Sequence, residues 1–182
     1  MIIIISCNKQ LESIKSIHAI PLNSDLIIQC NNITSIHDQI TTFPWWNELI
    51  KTHEFQKKIM ILNTLNNQYN IFDLFKNRTI YISSVLTKEQ TNEMIFITTL
   101  NNSNKKEKLV VDSIVKHLQK IDTITQRSYE DATIYHLTET NTFISIYKDV
   151  LLLSFSSITI EKSIRQINNK LNIFETEIIK KF

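Results

Sequence analysis

The residue types that most often do chemistry are present in this chain, but their spacing points to little. The five histidines are His18, His37, His53, His117 and His136. None stands in an HxxxH, HxH or HExxH arrangement, the spacings that bring two imidazoles onto one metal ion. With two cysteines, Cys7 and Cys30, a thiolate zinc site lacks ligands, and no metal or other cofactor is expected. Ser-His-Asp and Cys-His catalysis requires convergence in space, and no local signature for either appears. Glu130 and Asp131 are adjacent carboxylates whose side chains would diverge on a strand, so the pair reads as a turn before Thr133. A thiol nucleophile at Cys30 would need a base nearby; burial as a small hydrophobe is the simpler expectation.

The absence of glycine removes further chemistry. A Walker loop, a GxGxxG fingerprint, an EF-hand loop and a GxSxG elbow all need glycine for positive φ or close backbone approach. Each is excluded in its usual form. Turns and helix C-caps must then use other residues, and Asn31-Asn32, Asn66-Asn67, Asn101-Asn102 and Asn168-Asn169 stand where such joints are wanted. Net charge is +2 over 182 residues, which is no electrostatic footprint for nucleic acid. Lys105, Lys106 and Lys108, balanced by Glu107, read as a solvated loop. The expectation is a non-enzyme, with a hydrolase using a cleft between helices and sheet as the weakest alternative.

What the sequence does specify is a scaffold. Thr133–Thr138 alternates, with Ile134, His136 and Thr138 on one face and Thr133, Tyr135 and Leu137 on the other. Phe143–Tyr147 follows, and Lys148-Asp149 separates it from Val150–Leu153 by the two residues of a tight hairpin. Asp149 is the residue expected to take positive φ there. The unbroken apolar run 150–153 suits a central strand covered on both faces. Ser156-Ser157 offers N-caps for a helix with Ile160, Ile164, Ile167 and Leu171 on its buried stripe. Glu161 is expected in or near its first turn, and Glu161, Lys162, Arg165 and Asn168 mainly on a solvated back.

Upstream, Leu22–Cys30 contains a strand and residues 33–76 a helical block. Within the block Ile33, Ile36 and Ile40 mark one helix, and Pro44 opens the next. That second helix carries Trp45 and Trp46, a candidate partner contact if they do not simply close the edge of the core. Phe55, Ile59, Leu62 and Leu65 stripe a third. Thr79–Leu86 and Met94–Leu100 are strands expected to pair, Leu109–Ile121 a helix, and Thr123–Ser128 a strand. The order β-ααα-ββ-α-ββββ-α predicts an α+β domain with a mainly antiparallel sheet covered by helices.

The chain opens MIIIISCNKQ. Ile4-Ile5-Ser6-Cys7 has the form of a lipobox, with Cys7 as the lipid attachment point and residues 1–10 as a clipped signal and tether. Six residues without a basic region do not make a whole signal peptide. The structural alternative is a short apolar strand. Residues 11–182 then form one domain, possible as the N-terminal part of a longer protein.

The combination of IISC, IPLNSDLIIQ, the tryptophan-bearing helical block before RTIYISS, and YEDATIYHL with FISIYKDVLLLSFSSITIEKSIRQI resembles the N-terminal part of a family of uncharacterised bacterial envelope lipoproteins. Family members carry Gly in the hairpin turn and before the middle strand, where this chain has Asp149 and Asp131. The resemblance implies a fold and an address, and supplies no catalytic residues. It leads to the expectation of a non-catalytic, lipid-anchored envelope domain on the periplasmic or outer face. Its partners would be the membrane, through the anchor, and other envelope proteins. The alternative is a soluble accessory subunit of a larger assembly, cytoplasmic if the N-terminus is no signal remnant, with residues 1–6 as an edge strand.

Overall fold

A computed structural model describes residues 4–6, 14–31, 44–49, 51–69, 72, 78–86, 92–100, 116, 123–170 and 173. Eight strands make one sheet: β1 (Ile4–Ser6), β2 (Ser24–Cys30), β3 (Ile80–Leu86), β4 (Asn92–Thr99), β5 (Ile124–Tyr129), β6 (Ala132–Leu137), β7 (Thr142–Tyr147) and β8 (Val150–Ser154). Four helices are described: α1 (Ile14–Ile17), α2 (Pro44–Leu49), α3 (His53–Tyr69) and α4 (Ser157–Asn169). The strand order is β1-β2-β3-β4-β8-β7-β6-β5. Every neighbouring pair is antiparallel except β1 with β2. The fold is the expected α+β class with a mainly antiparallel sheet. The helices expected at 33–40 and 109–121 fall outside the described residues, apart from Lys116.

Alternation along each strand sends side chains to opposite faces, and both faces are covered. One face carries Ile28, Ile80, Ile82, Phe96, Leu151 and Leu153, with Leu62 of α3 packed among them and Trp46 of α2 and Phe72 against them. Cys30 ends β2 on this face, only 2% exposed. The other face carries Ile27, Tyr81, Ile95, Ile97, Ile134 and Leu152 beneath Ile17 of α1 and Ile160, Ile164 and Ile167 of α4. Ile160 and Ile164 are fully buried, each contributing about 2 to 3 kcal/mol of apolar transfer. β8 is buried along its whole length, as its unbroken apolar run predicts.

α3 is tied to the sheet by an ion pair in which little water is left. Lys58 Nζ lies 3.2 Å from Glu93 Oε2, the side chains are 12% and 18% exposed, and the same ammonium donates to the Asn92 carbonyl at 2.8 Å. A third contact is the Phe155 ring, 6.0 Å from the ammonium. Two pairing energies therefore act at one point, packing of the helix and a shielded charge pair.

Without glycine, the left-handed positions among the described residues fall to Glu130, Asn141, Lys148, Asp149 and Lys170. In the β7–β8 turn Asp149 is left-handed as expected, at φ 70°, and Lys148 joins it at φ 48°, because the right-handed twist of the flanking strands selects a turn with two such residues. Asn66-Asn67 lie inside α3 instead of ending it. At the end of α4 it is Lys170, at φ 53°, that closes the helix with its N–H on the Ile167 carbonyl. Asn168 and Asn169 remain helical, since Asn168 is held by the contacts described below. Ser156 is the N-cap, so Glu161 lies just past the first turn, at the start of the second.

Lys170 is exposed and left-handed, a conformation that costs a residue with a Cβ about 1 to 2 kcal/mol. Lys170→Gly should stabilise the fold by roughly 0.5 to 1 kcal/mol after the larger unfolded-state entropy of glycine is deducted. Urea unfolding reads this as a raised midpoint; an unchanged or lowered midpoint refutes the assignment of strain to this cap.

Candidate functional site

A polar cluster lies where α4 crosses the turns and end strands of the β5–β8 half. Glu161, Arg165 and Asn168 recur at i, i+4 and i+7 and so share one stripe of α4. The sheet supplies a partner for each. Glu161 pairs with Arg127 of β5. Arg165 donates from Nη2 at 2.6 Å and from Nε at 3.2 Å to the Tyr129 hydroxyl oxygen. Asn168 Oδ1 accepts from the Tyr147 hydroxyl at 2.7 Å and from Lys148 Nζ at 2.6 Å, while its Nδ2 donates to Glu130. Lys148 also sits 4.9 Å above the Tyr147 ring.

Two of these partners, Glu130 and Lys148, are left-handed turn residues. Turn geometry thus decides where their side chains go. Each turn delivers a charge of opposite sign to the same amide, which can satisfy both because it has an acceptor and a donor. The Arg165 guanidinium is held above its ordinary pKa, chiefly by the hydrogen bond to Tyr129. The arrangement can fix a helix or meet a polar partner. It contains no nucleophile beside a base.

The three described histidines, His18, His53 and His136, lie on different segments of the fold. His136 is half-buried, stacked on Phe143 with ring centroids 4.2 Å apart and planes 7° from parallel, and its Nε2 lies 3.0 Å from Asn141 Oδ1. Its polar partner is an amide on the adjoining loop, so the ring braces the β6–β7 connection. His18 is half-buried and His53 exposed at the start of α3. His37 and His117 lie outside the described residues. No group of three or more His, Cys, Asp or Glu among the described residues could hold a metal ion, and no helix among them is long and apolar enough to cross a membrane.

Cys7 lies outside the described residues, one position beyond β1. Trp46 is half-buried and packs against the core on the α3 face; Trp45 lies in α2, and its side chain is outside the described set. The polar stripe of α4 was visible in the sequence as a solvated back. Its partners were not, because they lie 20 to 38 residues away in the chain. α4 also buries Thr159, Ser163 and Gln166, a second stripe beside the isoleucines, so its covered arc is wider than the apolar pattern alone implies.

The fold and cluster define an α+β domain built on one eight-stranded sheet with helices on both faces. No protein-family model, no curated protein and no solved structure matches the chain.

If Asn168 clamps the two turns, Asn168→Ala should lower stability by about 1 to 2 kcal/mol, since Tyr147, itself only 6% exposed, loses the acceptor for its hydroxyl. Adding Tyr147→Phe should then cost less than it does in the unaltered protein, a coupling read by a double-mutant cycle in urea. Strictly additive effects would separate the two residues.

Proposed function

We propose that this chain is a non-catalytic contact domain of a bacterial envelope, tethered through a lipid on Cys7 and recognising protein surfaces. The observation that carries this reading is the β5 edge of the sheet, exposed over Thr125–Ser128 and with no strand beyond it among the described residues, a surface free to meet a partner. The sequence supports the tether with IISC followed by the polar Asn8-Lys9-Gln10, and the resemblance to envelope lipoproteins agrees with it.

A second reading, a soluble accessory subunit, is favoured by one specific observation. Ile4, Ile5 and Ser6 pair in parallel with Ile27, Ile28 and Gln29. A mature chain lipidated on Cys7 would begin at that residue, without β1 and with β2 as the edge. The two readings therefore make opposite statements about three residues.

Expression of the complete gene in a bacterium able to lipidate, followed by intact mass and membrane partitioning, separates them. The tethered reading expects diacylglycerol mass on Cys7, loss of residues 1–6, and release into the soluble fraction on Cys7→Ser. A Cys7→Ser form that still sediments with membranes, or an unmodified chain retaining Met1, sinks the tether and favours the accessory subunit.

A further inference from the structure

We propose that β5 is the edge by which two copies of this chain pair, antiparallel and about a two-fold axis through Gln126. The inference deepens the protein-contact reading above and rests on it, naming the partner as a second copy.

The hydrogen-bond phase of β5 shows which groups are available. The β5–β6 turn is two residues long, with Tyr129 opposite Ala132, and in such a hairpin the flanking pair exchanges both of its hydrogen bonds. The phase then alternates, so that Tyr129, Arg127 and Thr125 bond inward to β6. The bond from the Thr138 N–H to the Thr123 carbonyl at 3.3 Å continues the same phase. Ile124, Gln126 and Ser128 consequently point their N–H and C=O groups outward. Among the described residues nothing pairs with that outer edge.

Edges that must stay single are usually guarded by proline, lysine, a bulge or shortness. β5 has none of these. It pairs with β6 over six residues without a register shift, and Thr125, Gln126, Arg127 and Ser128 are all exposed, so both faces of the edge are open to an incoming strand. Its one charge, Arg127, is engaged by Glu161 of its own α4.

The sequence of β5 is compatible with itself. A two-fold through Gln126 sets Gln126 against its symmetry mate, Ile124 against Ser128, and Thr125 against Arg127. No like charges meet, and three outward pairs would exchange about six backbone hydrogen bonds. The two central amides can bond to one another, each having a donor and an acceptor. A strand pair of this length buries less than the roughly 1,200 Å² of a stable interface. The dimer is therefore weak and reversible, and a tether that concentrates copies on a surface would favour it.

The register makes a specific test. Gln126 is exposed and its backbone does not bond to β6, so its side chain can be changed without touching the β5–β6 ladder. Gln126→Lys and Gln126→Glu each place like charges directly opposite across the axis. Sedimentation velocity at low salt should show the unaltered protein associating as its concentration rises towards about 1 mM, and each variant associating at least about tenfold more weakly. An equimolar mixture of the two variants should recover association, since unlike charges then face each other. Circular dichroism checks that both variants remain folded. A monomeric unaltered protein at about 1 mM, or self-association indifferent to both charges and to their mixture, overturns the proposal. Lipid mass and membrane partitioning are read without reference to Gln126, so a lipidated but monomeric protein would remove the dimer and leave the tethered domain intact.

Discussion

Antiparallel pairing of β4 with β8 is the contact through which the two halves of this domain become one. On one side lie β1 to β4, on the other β5 to β8, and among the described strands the one pairing between them runs from Ile95 opposite Ser154 to Thr99 opposite Val150. Both faces of that seam are apolar, with Phe96, Leu151 and Leu153 on one and Ile95, Ile97, Val150 and Leu152 on the other. A shift by one residue would exchange the faces of every side chain in β8. Here such a slip would leave the strand apolar on both sides, because its apolar run is unbroken. Hydrophobicity alone does not fix this register. Polar bonds at the end of the seam do: Ser154 Oγ donates to the Met94 carbonyl at 2.7 Å, and the Leu100 N–H to the Asp149 carbonyl, also at 2.7 Å.

Helix α4 then spans the seam, since its buried isoleucines share a cluster with Ile95 and Ile97 of β4 and with Ile134 and Leu152 from the other half. The outer flank of the same helix is held by side chains from strained turns. A glycine at position 130 or 148 would relieve left-handed strain, yet it would also delete the carboxylate or ammonium that reaches Asn168. Strain of about 1 kcal/mol per turn residue and charge-assisted hydrogen bonds of similar worth are set against one another. A chain without glycine keeps side chains at its turns, and here those side chains make tertiary contacts.

Much of this was legible from local pattern. The strands at 133–138, 143–147 and 150–153, the two-residue turn between the last two, the opening of α2 at Pro44, the burial of Cys30 and the turn at Glu130-Asp131 all depend on residues close in sequence. The adjacency of β4 and β8 did not show, because a doubly covered strand gives the same apolar run whichever neighbour it has. The polar clasp escaped for a related reason: exposure and long-range pairing look alike in a periodicity pattern, and only the fold decides whether Glu161 meets water or Arg127. Asn66-Asn67 read as a joint because Asn is favoured at helix ends, but Asn66 Oδ1 instead accepts from the Phe72 N–H at 3.1 Å, securing the chain beyond α3 from inside it.

The distribution of polar groups also bears on where recognition can occur. Helices cover both faces of the sheet, and the polar stripe of α4 spends its donors and acceptors on the sheet's own side chains. Such a surface presents few unmet hydrogen-bonding demands to a partner. A sheet edge is different, because its outward N–H and C=O groups belong to the backbone and no side-chain network can remove them short of covering the strand. The two ends of this sheet are unequal in that respect. β1 offers three residues in parallel pairing beside Cys7, whereas β5 offers six in an unbroken antiparallel ladder. Backbone hydrogen bonding of an incoming strand is best served where the ladder is longest and the twist is already set by its neighbour, which is the β5 end.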